Sequence, residues 1–137
     1  GLGVDGSASN DSGHMLNEAR QAMLLQRVMK TGDALTARQS LAVATRGGAA
    51  VLGRDDIGQL APGFAADIAA FDCRGVDFAG AAWDLLAGLL FCGSSKASYT
   101  IINGKIIVDQ GQLLTMDLPK LLKNHHAMTA DLMRKAQ

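Results

Sequence analysis

The first ten residues, Gly-Leu-Gly-Val-Asp-Gly-Ser-Ala-Ser-Asn, constrain the fold more than any other stretch of the chain. Residues 1–5 form a short apolar run that ends in Asp5, and a loop of small residues follows. This order predicts a strand with Asp5 at its carboxyl end. In β/α proteins, the loops at that end of the strands surround the ligand or metal site. Asp5 is therefore the first candidate functional residue.

A helix is predicted directly after this loop. Residues 14–30 carry apolar side chains at helical spacing, and they follow Asp11 and Ser12, either of which can cap a helix start. Residues 1–30 thus have the order strand, loop, helix, which is the repeating unit of β/α proteins.

A second helix is predicted to begin after Thr36 and to run to about Thr45. Thr36 and Gln39 have the spacing of a capping box, in which each side chain hydrogen-bonds the other residue's backbone amide. We expect the Gly47-Gly48 pair to loosen this helix and Gly53 to end the turn that follows.

The second half of the chain changes to strand patterns. Ile68–Phe71 alternates and is closed by Asp72, so it predicts a strand after the turn residues around position 62. The apolar run Ala79–Cys92 predicts a core helix, and we expect Trp83 within it to lie in the core or at an interface.

A hairpin is the clearest prediction in this half. Tyr99–Ile102 and Lys105–Val108 flank Asn103-Gly104, a pair that adopts the positive φ angles of a type I′ turn. A further strand over 112–115 is predicted after Gln110-Gly111.

The chain is predicted to end in an amphipathic helix capped by Asp117. We expect one face of this helix to be buried, because apolar residues recur along it at helical spacing. The predicted stripe consists of Leu118, Leu121, Leu122, His125, Met128 and Leu132.

Composition excludes several classes of protein. The chain has 13 basic and 13 acidic residues, so no net charge favours nucleic acid or an anionic membrane. Its longest apolar run is interrupted by Asp84 and falls short of the roughly 20 residues that span a bilayer. Cys73 and Cys92 are too far apart for a C-x-x-C motif, and reduced, buried cysteines fit a cytoplasmic protein.

Asp5 suits two related roles, ligand of a zinc ion or general base beside one. One carboxylate cannot hold zinc alone, and the chain contains no H-x-H or H-E-x-x-H motif. Two alternatives stay open. Asp5 can instead bind loop amides, and residues 6–9 can instead cradle a phosphate, although they lack the lysine of a Walker loop.

The remaining polar candidates are secondary. Asn10 is expected close enough to Asp5 to orient it. His14, at the start of a helix, is expected to be a surface or supporting imidazole rather than a metal ligand. His125 and His126 point about 100° apart on a helix, so they do not readily share a metal.

Four ordered motifs carry a resemblance to a known family. They are Gly-Val-Asp-Gly-Ser-Ala-Ser-Asn, Ala-Thr-Arg-Gly-Gly-Ala-Ala-Val-Leu-Gly, Ile-Gly-Gln-Leu-Ala-Pro-Gly-Phe-Ala-Ala-Asp-Ile-Ala-Ala-Phe-Asp and Ile-Asn-Gly-Lys-Ile-Ile-Val-Asp-Gln-Gly-Gln-Leu. Together they resemble the C-terminal part of the amidohydrolase superfamily, in the branch of cytosine, guanine and triazine aminohydrolases. Within it, Trp-Asp-Leu-Leu-Ala-Gly-Leu-Leu-Phe-Cys-Gly and Ser-Tyr-Thr-Ile-Ile-Asn-Gly most resemble the 8-oxoguanine deaminases.

The resemblance implies a fold and three regions. The expected fold class is α/β, the C-terminal portion of a (β/α)8 TIM barrel with strands of an accessory β-sandwich and a C-terminal helix. Residues 1–53 match the last βα unit and the following helix. Residues 54–115 match sandwich strands with an inserted apolar helix, and residues 116–137 match the last helix.

The resemblance also implies an activity. It is the zinc-dependent conversion of a purine, 8-oxoguanine, to urate and ammonia, in which Asp5 binds the metal and shuttles a proton from the attacking water. The other zinc ligands and most of the purine pocket are expected upstream of residue 1, so this segment alone is predicted inactive. Its expected partner is the upstream barrel, in the same protein or in a second chain, and a homo-oligomer is left open.

Two competing functions stay open. One is another aminohydrolase of the same branch, acting on guanine or an s-triazine. The other is a non-catalytic α+β interaction module, in which the last helix and the Trp83 region form a partner surface.

Overall fold

The computed structural model describes residues 1–29, 33–92 and 96–136. The helices are α1 (Met15–Met29), α2 (Ala37–Ala42), α3 (Gly48–Val51), α4 (Leu85–Phe91) and α5 (Leu118–Lys135), and the strands are β1 (Ile68–Ala70), β2 (Tyr99–Ile102), β3 (Lys105–Asp109) and β4 (Gln112–Leu113). The predicted helix over 14–30 is confirmed from Met15 to Met29, and Lys30 lies outside the described residues. The helix begins directly after His14, too far along the chain for Asp11 or Ser12 to cap it as predicted.

The main core lies where α1, α2 and α4 meet. Its buried side chains are Ala19 and Met23 of α1, Ala37 of α2 and Leu90 of α4. Ser40, which is fully buried, donates a hydrogen bond from its hydroxyl to the carbonyl oxygen of Ala19. The small side chains of Ala19, Ala37 and Ser40 let α1 and α2 approach closely, and one polar contact fixes α2 against α1.

The predicted capping box is confirmed at the start of α2. The backbone amide of Gln39 donates to Thr36 Oγ1 at 3.2 Å, and the amide of Thr36 donates to Gln39 Oε1 at 2.9 Å. The helix then continues further than predicted. A π-helical turn over Val43–Gly47 leads directly into α3, and Gly53, at φ 64°, follows its end.

The predicted strand over residues 1–5 is not formed. Residues 1–6 are all described, and none lies in a helix or strand. Leu2 packs against the helical core, and a Cβ at Gly1 would meet Gly48 and Val51, so residue 1 lies close to α3. The physical reason is that a strand needs a hydrogen-bonded neighbour, whereas every strand within the described ranges lies between residues 68 and 113 and pairs within one sheet.

That sheet is antiparallel, with its strands in the order β1-β2-β3-β4. The predicted hairpin is confirmed, and Asn103 and Gly104 at its tip have φ angles of 47° and 76°. The strand predicted over 112–115 is shorter and ends at Leu113. The strand predicted over 68–71 likewise ends at Ala70.

The prediction for Trp83 is corrected. The apolar run does not form one helix, because Asp84 accepts a hydrogen bond from the amide of Ala87 at 3.1 Å and starts α4 after itself. Trp83 precedes the helix and is 98% exposed, so it is not a core residue of this chain, and its place at an interface stays a prediction. A carboxylate at this position acts as an N-cap, which sequence hydropathy alone does not distinguish from an interruption.

The last helix, α5, is confirmed, and Asp117 caps it by accepting from the amide of Lys120 at 2.9 Å. Its apolar stripe is exposed rather than buried, since no described element covers it. Among the described residues, no helix is long and apolar enough to cross a membrane. Cys73 and Cys92 are free, as predicted, but half-buried rather than buried.

Candidate functional site

Asp5 adopts a left-handed backbone conformation, with φ at 60°. Aspartate tolerates this region better than most residues because its short side chain can hydrogen-bond nearby backbone groups. Here Asp5 Oδ1 accepts from the amide of Gly6 at 2.7 Å. The side chain is exposed, so this single contact sets the direction of a carboxylate that is open to its surroundings.

The loop after Asp5 is closed by its own backbone. The carbonyl oxygen of Gly6 accepts from the amides of Ser9 and Asn10, at 2.9 and 3.0 Å. The amide of Gly6 is already bound to Asp5, so three amides of this loop already have hydrogen-bond partners. Together with the adjacent Asp5 charge, this weakens the alternative of a phosphate-cradling loop, which needs free amides and no neighbouring anion.

Asn10 joins this loop to helix α1. Its Nδ2 donates to Glu18 Oε1 at 2.7 Å, and its Oδ1 accepts from the amide of Ser12 at 3.1 Å. Its side chain therefore binds Glu18 and Ser12, and not the Asp5 carboxylate that we expected it to orient directly.

Glu18 is a residue that the sequence reasoning missed. It lies in the first turn of α1 and is half-buried. The indication available in the sequence was an acidic residue at the start of the helix that follows the Asp5 loop. A carboxylate there is favoured by the helix dipole as well as by the Asn10 contact.

His14 lies just before α1, as predicted, and its carbonyl oxygen accepts from the amides of Asn17 and Glu18. Its Nδ1 is buried and has no hydrogen-bond partner within the described part of the chain. The ring is half-buried rather than on the surface.

These residues fit a zinc ion only in part. An Asp5 oxygen is a suitable zinc ligand, and its exposed position is compatible with that role. A complete site needs about three protein ligands, and no cluster of three His, Cys, Asp or Glu residues occurs among residues 1–29, 33–92 and 96–136. His125 and His126 are neighbours on α5, with ring centroids 6.2 Å apart, and are exposed. The described residues thus fit one ligand of a shared site.

The chain is similar to known proteins along most of its length. A model of the Amidohydrolase family matches residues 1–107. The 8-oxoguanine deaminase of Pseudomonas aeruginosa is 44% identical over 132 residues, which are 96% of this chain and 29% of that protein. The 5-methylthioadenosine/S-adenosylhomocysteine deaminase of Pelotomaculum thermopropionicum is 42% identical over 89% of this chain and 28% of its own length. The chain therefore spans less than a third of these relatives.

The fold of the chain is also similar to that of solved structures. The atrazine chlorohydrolase TrzN from Arthrobacter aurescens TC1, complexed with zinc, is 40% identical and superposes with a TM-score of 0.82 over 89% of this chain and 28% of its own. An adenosine deaminase from Xanthomonas campestris with bound zinc is 29% identical, with a TM-score of 0.83 over 94% of this chain and 30% of its own. These likenesses confirm the predicted α/β fold class. The chain corresponds to less than a third of each of these structures.

Proposed function

Because the chain belongs to the amidohydrolase family, we propose that the complete protein is a zinc-dependent hydrolytic deaminase and that Asp5 carries its proton transfer. The observation that carries this proposal is the Asp5 carboxylate, which is exposed, lies on a left-handed backbone and is oriented by one hydrogen bond from the Gly6 amide. The relatives named above are hydrolases, which favours an enzyme over a non-catalytic interaction module.

We propose 8-oxoguanine as the substrate, on the strength of the 44% identity to an 8-oxoguanine deaminase over nearly the whole chain. Water adds to the ring carbon that bears the exocyclic amine, a C–O bond forms, the C–N bond breaks, and urate and ammonia result. A bound zinc ion would supply Lewis acidity that makes the attacking water more acidic.

Asp5 would hold that zinc ion and receive the proton that the water loses. The Gly6 amide donates to Oδ1 and so limits rotation of the carboxylate that would serve in both roles. The proton is then delivered to the departing amine, which leaves as ammonia. No atom is left over, because the two hydrogens of water are shared between urate and ammonia.

Two other substrate classes compete with 8-oxoguanine. One relative is a 5-methylthioadenosine/S-adenosylhomocysteine deaminase and one solved structure is an atrazine chlorohydrolase. A panel of 8-oxoguanine, guanine, 5-methylthioadenosine and an s-triazine, scored by release of the leaving group from the complete protein, separates these classes. Absence of turnover with 8-oxoguanine would exclude the preferred substrate.

The role of Asp5 is tested by Asp5→Asn and Asp5→Ala in the complete protein. We expect both to abolish turnover and to lower zinc content, because the amide is not a base and alanine has no ligand atom. Asp11→Asn is the matched control, since Asp11 is an exposed carboxylate of the same loop. Full turnover in Asp5→Asn would contradict the proposal.

We also propose that residues 1–137 are active only when they are assembled with an upstream barrel, in the same protein or in a second chain. Several large apolar side chains of α1 are exposed, among them Leu25 at 52%, Val28 at 84% and Met29 at 79%, and a partner that covers them would gain hydrophobic stabilisation. A sample of residues 1–137 alone that is monodisperse, unfolds cooperatively and binds zinc would overturn this.

A further inference from the structure

We propose that Asn10 and Glu18 form a positioning pair, which touches no substrate but sets the direction of the Asp5 carboxylate. The inference rests on the proposed function of Asp5 and adds to it the two residues that hold its loop. The pair is defined by the hydrogen bond from Asn10 Nδ2 to Glu18 Oε1, at 2.7 Å.

The orientation of the Asn10 amide is determined by its two partners. A backbone N–H can only donate and an ionised carboxylate can only accept. The oxygen of Asn10 must therefore face the amide of Ser12, and its NH₂ group must face Glu18. An aspartate in this position would retain the bond to Ser12 and would set two carboxylates against each other.

A continuous series of bonds leads from this pair to Asp5. The backbone amide of Asn10 donates to the carbonyl oxygen of Gly6 at 3.0 Å. The amide of Gly6 donates to Asp5 Oδ1 at 2.7 Å. A shift of the Asn10 backbone would therefore displace Gly6, whose amide binds the Asp5 carboxylate.

Helix α1 supplies the fixed end of this series. Glu18 precedes Ala19, which is fully buried in the helical core, whereas residues 5–9 are all exposed. Leu2 packs against the core before Asp5, and on the other side of the exposed loop the side-chain contact between Asn10 and Glu18 ties it to α1.

Four variants of the complete protein test the proposal. Asn10→Asp places like charges in contact and should lower kcat on the order of 10- to 100-fold with KM nearly unchanged, as expected when a reacting group is misplaced. Glu18→Gln alone keeps an acceptor oxygen and should stay within about threefold of the parent. In the double variant the introduced glutamine amide donates to the introduced carboxylate, so kcat should return to within about threefold of the parent. Asn17→Asp is the control, since it adds the same charge beside Glu18 on an exposed side chain.

A readout that does not need turnover accompanies the kinetics. Amide hydrogen exchange of Gly6, Ser9 and Asn10 should be faster in Asn10→Asp and should recover in the double variant. Loss and recovery of both kcat and amide protection support the positioning pair. An Asn10→Asp variant with parental kcat and protection overturns it, and so does a loss of kcat that the double variant fails to restore.

The two proposals fail separately. If the parent protein deaminates none of the substrates, the proposed function fails, and amide exchange alone still decides whether the pair orders the Asp5 loop. If the parent is active and Asp5→Asn is inactive but Asn10→Asp is fully active, the proposed function stands and the positioning pair is wrong.

Discussion

The carboxylate of Asp67 accepts a hydrogen bond from the backbone amide of Asn103, 36 residues later, at 2.7 Å. The next amide, that of Gly104, donates to the carbonyl oxygen of Ala66 at 3.1 Å. The residues that precede β1 therefore hold the tip of the β2–β3 hairpin. A local turn is thereby fixed to a distant part of the chain.

We expect Asp67→Ala to weaken this attachment by about 1 kcal/mol, the usual net value of one hydrogen bond. Asp67→Asn retains an acceptor oxygen and should weaken it less. Amide hydrogen exchange at Asn103 measures the effect, and equal protection in the parent and in Asp67→Ala would contradict it.

The bond from the buried Ser40 hydroxyl to the Ala19 carbonyl makes a second prediction. Ser40→Ala should lower the free energy of unfolding by about 1 kcal/mol, and Ser40→Val by more, because it also adds volume to a closely packed site. Ser7→Ala, at an exposed loop position, is the control. Urea unfolding measures the differences, and equal midpoints for Ser40→Val and the control would show that the site is not packed as described.

Two glycines at positive φ should differ in their tolerance of alanine. A Cβ at Gly104 meets nothing within 4 Å, so Gly104→Ala should cost only the backbone penalty of about 1–2 kcal/mol. A Cβ at Gly58 would lie 3.0 Å from the Ala49 Cβ and 3.1 Å from the Thr45 carbonyl oxygen. Gly58→Ala should therefore cost about 1–3 kcal/mol more. Equal unfolding midpoints for the two variants would contradict this packing.

The Arg74 guanidinium hydrogen-bonds both oxygens of Asp72, at 2.8 and 2.7 Å, and holds the pKa of that carboxyl well below its usual range. A depressed folded-state pKa means that this contact stabilises the fold above the unfolded pKa, and the stabilisation is lost as the pH falls through the folded pKa. Arg74→Gln should return the pKa of Asp72 towards about 3.9.

The Asp72 prediction is checked by an NMR titration of the carboxyl. Arg54→Gln is the matched control, because Arg54 pairs with Asp56 and lowers the pKa of that carboxyl instead. Titration of Asp72 at its ordinary value in the unaltered protein would show that the Arg74 contact does not form in solution.

Features encoded by a few adjacent residues were predictable from the sequence. The Thr36 and Gln39 capping box, the Asp117 cap and the Asn103-Gly104 turn all formed as expected. Each depends on residues within three positions of one another, so a short stretch of sequence contains all the necessary groups. The three domain ranges and the role of Asp5 were also predicted from the sequence, and they stay predictions.

Features that depend on distant partners were not predictable. Trp83 is exposed because no described part of the chain packs over it. The predicted first strand is absent because no neighbouring strand lies beside residues 1–5 in the described part of the chain. The contact between Asn10 and Glu18 joins a loop to a helix. Residue type and spacing did not predict that the Asn10 amide would donate to Glu18.

The sequence by itself determined the hairpin turn, the caps at Thr36 and Asp117 and the family of this protein, because these reside in local hydrogen-bonding chemistry and in motif order. Only the tertiary structure decided that Asp5 has a left-handed backbone, that its carboxylate accepts from the Gly6 amide and that its loop is tied to α1 by Asn10. The direction of a carboxylate depends on the particular atoms that surround it in space. Those atoms come together only when the loop and the helix are packed in one structure.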